Sequence, residues 1–532
     1  MERAKERVAI IGAGVSGLAA LKNSLEEDFE PVCFERHDTL GGLWYYTNEV
    51  RQGQIGACYR SLWSNTPKAL MSFTDFPLPR EFPVFPSQRQ MHEYLKQYAE
   101  HFGLEKYIRY KTNVVSVDKS GDYLSSGKWD VHFQDGGTRE IRTETFDAVM
   151  VCTGGFGDVY IPNIPGCEQF RGLTMHANKY REPAPFAGKR VVIVGSSHTA
   201  GDISCELGHS YCEKVYMSVR NGTKVVSTFT ASGWPTLLYF LKRAILNLPA
   251  NLTDRLYGQQ ARLRFHDRHK FGLAVRYSDR PVSTMINDHI QDSIAAGQVT
   301  IIPEVVKFTG SGVILSDGSA IDNLDAVIFA TGYLSRYGIL DESFIFDDSD
   351  SCKLYKYIVP VDLKHPTLFI IGATSRIFPS FYTAVDVQTR WAAQVIKKEL
   401  KLPSRDGMYE DIRSKKPIGR FCVAVPSTLY QDELAREIGV LPNFWKLLFT
   451  DPKLAYAFYF GTAVGAWYRL QGRASWIGAR NTILGVTDDV LLSLNPRYKR
   501  KTWKNSIFDQ SSRILAIAFC ALAFCGGLYM RR

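Results

Sequence analysis

None of the ten cysteines, scattered from Cys33 to Cys525, stands in a C-x-x-C pair. That absence argues against dithiol electron transfer, and scattered thiols in a long chain read as reduced, buried small hydrophobes. There is no solenoid-length repeat, no low-complexity tract and no stretch resembling a nucleic-acid-binding module. The net charge of +10 over 532 residues is modest. It suits phosphates or an anionic lipid surface and leaves no case for nucleic acid. The opening "MERAKERVAIIGAG" lacks the apolar region and cleavage site of a secretory signal. With 45% hydrophobic and 22% charged residues, the composition is that of a globular chain with room for two or three domains.

Two β-α-β signals stand out instead. "RVAIIGAGVSGLAALKNSLEE" reads as strand, glycine turn and helix, and "PVCFER" as the next strand. "KRVVIVGSSHTAGDISCELG" repeats the layout, followed by "KVYMSV". Two more apolar strands end in T-G turns, "FDAVMVCTGG" and "LDAVIFATGY". The pattern predicts an α/β fold with two Rossmann-like dinucleotide-binding domains, one inserted in the other.

The first fingerprint is complete, with Gly12, Ala13, Gly14, Val15, Ser16 and Gly17 forming the turn. Its glycines serve the tight turn, the approach to a pyrophosphate and the packing of helix on strand. The helix start adds amide donors and a positive dipole. Glu35 stands 23 positions after Gly12 and is followed by Arg36. A carboxylate there accepts from ribose hydroxyls and repels a 2′-phosphate, so this site takes FAD or NAD. A second glycine pair in "LGGLW", with Gly42, Leu43 and Trp44, supplies the extra close backbone that a two-part cofactor such as FAD needs.

The second fingerprint lacks its middle glycine: Gly195, Ser196, Ser197, His198, Thr199 and Ala200. The same 23-position ruler reaches Ser218, with Arg220 two residues on. Loss of the carboxylate and gain of a guanidinium is the mechanism that selects NADP, or NADPH in its reduced form. The plain alternative for Arg220 is a solvated surface arginine.

At the other end, "ILAIAFCALAFCGGLYM" from Ile514 to Met530 carries no charge and follows the basic stretch "RYKRKTWK". Seventeen residues span about 26 Å as a helix, the low edge for crossing a bilayer. A hydrophobic membrane anchor over 511–532 is expected. "GWPTLLYFLKRAILNLP" reads either as packing in a substrate-access region or as a dip into a membrane.

The two fingerprints, the "GGLW" turn, "FATGY" with Thr331 and Gly332, and "FRGLTMHANKY" together resemble the flavin-containing monooxygenases, animal microsomal type. Phe170, Gly172, His176 and Tyr180 occupy the family's F-x-G-x-x-x-H-x-x-x-F/Y positions. The resemblance covers nearly the whole chain. It implies that NADPH reduces FAD, O₂ adds to give a C4a-hydroperoxyflavin, and a soft nucleophile, amine nitrogen or sulfide sulfur, takes the distal oxygen. It also implies an endoplasmic-reticulum membrane, a small-molecule nucleophilic substrate and molecular oxygen as partners. Asn65 in "LWSNTPK", flanked by Ser64 and Thr66, matches the asparagine beside flavin and nicotinamide. His198 replaces an asparagine near the nicotinamide, so coupling efficiency turns on it. Gln388 in "DVQTRW" matches a helix start near the flavin. His176 is read as an orienting residue at a domain junction.

The expected layout is an FAD-binding part over 1–185, an NADPH domain over 186–330 with an insertion around 225–290, a second FAD-binding part over 331–445, a C-terminal region over 446–510 and the anchor. Baeyer–Villiger oxygenation of ketones, an uncoupled NADPH oxidase releasing peroxide, and a catalytically dead nucleotide sensor are the competing readings.

Overall fold

The computed structural model describes residues 5–497, apart from 51–55, 57, 139, 157, 210–211, 250–251, 253–254, 257–268, 276–281, 373–376 and 416–424. The expected anchor over 511–532 lies outside the described residues. Among those described, no helix is long and apolar enough to cross a membrane.

The first apolar run forms β1 (Arg7–Ile11), and Gly14 opens α1 (Val15–Glu26). The chain continues through β2 (Glu30–Phe34), helix α2 (Gln88–His101) and β3 (Ile108–Arg109). An antiparallel meander, β4 (Thr112–Lys119), β5 (Trp129–Asp135) and β6 (Ile141–Phe146), leads into β7 (Ala148–Val151). Ser87 caps α2 through a reciprocal capping box with Gln90, as a serine three residues before a glutamine should.

The second unit begins with β8 (Leu173–His176), ahead of residue 186 where the sequence pattern starts it. Then come β9 (Arg190–Val194), α3 (His198–His209) and β10 (Lys214–Ser218). β11 (Thr223–Val226) pairs in parallel with β12 (Ser283–Ile286), and α4 (Ile290–Ala295), β13 (Val299–Ile302) and β14 (Ala326–Phe329) complete the unit. β15 (Leu368–Ile370) returns to the first sheet, followed by α5 (Phe381–Ile396) and α6 (Ser427–Glu437).

The two central sheets run in the orders β15-β7-β1-β2-β3 and β13-β10-β9-β14-β8, with every pairing parallel. Both faces of such sheets are covered, so their strands are continuously apolar: Val8 to Ile10 and Val191 to Ile193 are wholly buried. This is the architecture expected, an α/β protein of two Rossmann-type units. The second lies in the chain between β7 and β15 of the first.

The C-terminal region is bolted on by buried charge. Arg469, fully buried, reaches Thr74 Oγ1 (2.7 Å), Glu26 (3.1 Å), Asp75 (3.2 Å) and Asp386 (3.4 Å). Burial alone would raise the Asp386 carboxyl, but Arg469, Lys22 and Arg390 outweigh it and hold it low. Arg243 in the insertion makes a two-pronged pair with Asp432 of α6, at 2.8 and 2.7 Å.

Candidate functional site: two glycine turns meeting at one junction

The two turns are built alike. Gly12 has φ +102 and donates its N–H to Phe34 O at 2.8 Å; Gly195 has φ +141 and donates to Ser218 O at 3.2 Å. A Cβ on Gly12 would lie 2.9 Å from Cys152 O, and one on Gly195 2.4 Å from Ala330 O. Each turn is therefore pinned between its neighbouring strand ends, in a backbone conformation that only glycine adopts cheaply.

The first turn is a cradle of bare backbone. A Cβ on Gly42 would come within 3.1 Å of Gly14 Cα, and Gly41 donates to Ala13 O at 3.0 Å. The "LGGLW" turn thus lies against the fingerprint, with Leu43 and Trp44 half-buried beside it. α1 begins without a side-chain cap and without an acid in its first turn, leaving its amides for an anion. Val15 and Ser16 are buried. The Glu35 carboxylate, 6% exposed, accepts from Ala13 N and His37 N, both at 2.8 Å, and so stands at the mouth of the turn. Arg36 points to solvent. A dinucleotide without a 2′-phosphate fits this set.

The second turn is covered by β12. Ser197 Oγ donates to Thr284 O at 3.0 Å, and the hydroxyls of Ser196 and Ser283 lie 2.7 Å apart. The missing glycine is thereby explained. A strand edge offers this position's hydroxyl a partner, where the first turn meets the glycines of "LGGLW" instead. Ala200 packs in the core of the second unit, and Thr199 lies half-buried in the first turn of α3.

Ser218 is corrected. Its hydroxyl faces inward, donating to Pro303 O (2.9 Å) and accepting from Val305 N (3.2 Å), so it ties β10 to the loop after β13. That leaves Arg220, exposed just beyond β10, as the group available to a phosphate. Gln388 lies one layer back from the turn. Wholly buried, it accepts from Gly372 N (2.9 Å) and donates to Tyr430 Oη (2.7 Å). It stands behind the first turn, where a Cβ on Gly372 would meet Ser16 Oγ at 2.9 Å.

Asn65 and His198, 133 residues apart, are brought together: Asn65 Nδ2 lies 3.3 Å from His198 Nδ1. That nitrogen also accepts from Ile286 N at 3.0 Å. Two N–H groups aimed at Nδ1 make it an acceptor and place the neutral ring's proton on Nε2. Thr66 Oγ1 donates to Asn65 Oδ1 (3.3 Å), which sets the amide's orientation, and Ser64 Oγ closes the turn by donating to Thr66 O (2.8 Å).

Thr331 donates its hydroxyl to Tyr160 O, and Gly332 O accepts from His176 Nε2 at 3.1 Å. His176 Nδ1 accepts from Asn178 N at 3.2 Å. Burial lowers this imidazole's pKa, against the pull of the Asn178 side-chain oxygen and the Gly332 carbonyl, so His176 is a satisfied orienting residue.

Sequence reasoning missed the groups that join the two units: Tyr59, Asp202, Asn287 and the edge of β12. Tyr59 Oη donates to Asp202 Oδ2 at 2.8 Å. No short motif marks them, because their partners lie 85 to 143 residues away.

Two parallel-sheet units, each with a glycine turn at its first strand and meeting at a shared junction, define a two-dinucleotide protein of the flavoprotein oxidoreductase class. The sequence profile of the flavin-binding monooxygenase-like family matches residues 5–526. Flavin-containing monooxygenase 3 of Macaca mulatta is 38% identical over 535 residues, 98% of this chain and 99% of that one. Flavin-containing monooxygenase 5 of Rattus norvegicus is 36% identical over 534 residues, 98% and 99% of the two chains. The fold matches S-allyl-L-cysteine S-oxygenase from Allium sativum with a TM-score of 0.62 at 22% identity, covering 92% of this chain and 100% of that one. It also matches OTEMO in complex with FAD and NADP, with a TM-score of 0.57 at 14% identity, over 84% and 98%. The chain belongs to the flavin-binding monooxygenase-like family and is a flavin-dependent monooxygenase.

Proposed function

We propose that the protein holds FAD on its first turn and NADPH on its second, and transfers one oxygen atom of O₂ to an amine nitrogen or sulfide sulfur. The balance is substrate, O₂, NADPH and a proton giving the oxide, water and NADP⁺. The observation that carries this reading is the Asn65–His198 contact, which places a first-unit amide against the first residue of the second unit's helix.

Bound FAD, once reduced, supplies the activation of oxygen. The protein's own residues do the rest. Glu35 accepts ribose hydroxyls and repels a 2′-phosphate, whereas Arg220 binds one. The amides of Ala13 to Gly17 take the pyrophosphate of the first dinucleotide, and those of Ser196 to Ala200 the second. Asn65 offers a neutral amide that donates without delivering a proton. His198, neutral with Nε2 protonated, keeps Asn65 and β12 in place and leaves the junction without a strong acid.

Residues 511–532 are proposed as an anchor in the endoplasmic-reticulum membrane. Large apolar side chains exposed near the described C-terminus support it. On α7 (Phe444–Thr450), Trp445 is 53% and Phe449 84% exposed, beside the exposed Lys446. Ile477, 99% exposed, precedes a helix whose Arg480 holds Asp451 at 2.6 Å, close behind α7.

The test is NADPH consumption by the purified yellow protein over a panel of amines, sulfides and ketones, with peroxide measured in parallel. An N- or S-oxide formed in proportion to NADPH supports the proposal. An ester from ketones alone, peroxide without organic product, or no flavin at all overturns it.

A further inference from the structure

The "LGGLW" turn is gripped from two sides. On one it meets the fingerprint, through Gly41 N donating to Ala13 O at 3.0 Å and the close approach of Gly42 to Gly14. On the other stands His92, a residue of α2 that no sequence motif marks. His92 Nε2 donates to Leu40 O at 3.0 Å. Its ring covers Gly41 so closely that a Cβ there would lie 2.5 Å from His92 Cδ2. The same ring packs against Tyr45, with ring centres 5.0 Å apart. One imidazole thus touches the turn before, at and after its glycine pair. Thr39 Oγ1 reaches Leu40 O at 3.4 Å, but it belongs to the same stretch of chain and ties the turn to nothing else.

The helix that carries His92 is itself fixed. The Ser87–Gln90 capping box closes its start, and Met91, Tyr94, Leu95 and Tyr98 seat it in the core of the first unit. Its first residues are also bound to the segment that carries Asn65. Ser64 N donates to Pro86 O at 2.7 Å, Gln88 N donates to Leu62 O at 2.9 Å, and Trp63 pairs with Ser87. Gln88 and His92 are four residues apart, about 6 Å along the helix axis. One turn of α2 therefore joins the Asn65 segment to the second glycine turn of the flavin cradle.

We infer that His92 is a positioning residue for the flavin: it clamps the "LGGLW" turn onto the fingerprint and keeps it in register with the Asn65 segment. This rests on the reading above that the first turn holds FAD. The need for a clamp follows from the turn itself. Gly41 and Gly42 stand at φ +117 and +55, and neither has a side chain with which to pack. A glycine pair loses more freedom on ordering than any other residues would, so an outside group must hold it. The imidazole supplies both things the turn lacks, a donor for its leading carbonyl and a surface for its bare backbone.

The test compares the wild-type holoenzyme with H92Q, which keeps an N–H donor and loses the ring, H92F, which keeps a ring and loses the donor, and H92A, which loses both. The first readout is the rate of flavin release on dilution, followed by the fluorescence of free FAD. Release should be about ten-fold faster in H92F, at least as fast in H92A, and within about three-fold of wild type in H92Q. The second readout is hydrogen exchange of the flavin-free proteins. Residues 40–45 should exchange faster in H92A, while 91–98 of α2 and 195–200 of the second turn keep the wild-type rate.

An H92A enzyme that releases flavin at the wild-type rate overturns the inference. So does faster exchange throughout α2, which would show a general loss of stability rather than a freed turn. If H92A does not fold, H92F and H92Q decide the question, and equal flavin release from those two overturns it. If the wild type binds no flavin, the proposed function fails, and the exchange of 40–45 still judges the clamp.

Discussion

His198 Nδ1 accepts two N–H groups from opposite sides of the junction, Ile286 N at 3.0 Å and Asn65 Nδ2 at 3.3 Å. Truncating the ring should therefore free both. H198A is expected to keep its flavin and to raise the peroxide released per NADPH by roughly ten-fold, about the worth of one lost hydrogen bond. N65A should do the same. The double variant should cost less than the sum of the two, by about 0.5–3 kcal/mol of coupling, because each single change already breaks the shared contact. Additive effects on coupling would show that the pair does not act together.

Dinucleotide choice should follow Arg220 and Glu35. R220Q is expected to raise KM for NADPH by about ten-fold or more while leaving NADH use unchanged, because a charge-assisted bond to a phosphate is worth about 1.5–3 kcal/mol. E35Q should loosen flavin, read as absorbance lost on gel filtration. S218A should alter stability rather than NADPH affinity, since its hydroxyl is spent on Pro303 and Val305.

Arg469 tests the buried charge cluster. R469M takes from Asp386 its main cation and leaves Asp75 and Glu26 to Lys22 alone, and should destabilise by about 3–5 kcal/mol, measured by denaturant unfolding. The sign with pH follows from the low native value of Asp386. Its contribution is present above the unfolded value of 3.8 and is lost as pH falls towards about 2.

Asp202 runs the other way. Its native value, pushed up to about 6 by burial, lies above the unfolded 3.8. Its stabilising contribution is therefore full below 3.8 and is lost as pH rises through 6. At pH 7.5, D202N is expected to be as stable as wild type or more so, by up to about 3 kcal/mol, measured by denaturant unfolding. A D202N protein destabilised at pH 7.5 would contradict that balance.

Deleting 511–532 should move the protein from the membrane fraction to the soluble fraction without changing flavin content. The exposed Trp445, Phe449 and Ile477 predict residual vesicle binding that is lost when all three become serine. Unchanged sedimentation after the deletion would remove the anchor.

The legible parts of the site are those whose demands are local. Gly12, Gly17 and Gly42 lie within about thirty residues, and each answers a backbone need that a side chain would obstruct, while Gly14 lies in ordinary contact with Gly42. The 23-position ruler found two strand ends correctly: Glu35 follows β2 and Ser218 closes β10. It could not tell which way the side chain at that position points. Glu35 turns to its own glycine turn, whereas the loop at 303–305 packs beside Ser218 and claims its hydroxyl. Gln388, matched by resemblance to a helix near the flavin, spends its amide on Gly372 and Tyr430 one layer behind the first turn.

Strand-turn-helix spacing and glycine placement were enough to read two dinucleotide turns, because φ and close backbone approach are set within a few residues. The cover over the second turn was decided elsewhere. β12 arrives some 85 residues after Ser197, and only its packing there makes a serine acceptable where a glycine was expected. The Tyr59–Asp202 bond belongs to the same class. Burial and partner choice depend on every element that closes around a group, and no local pattern carries that information.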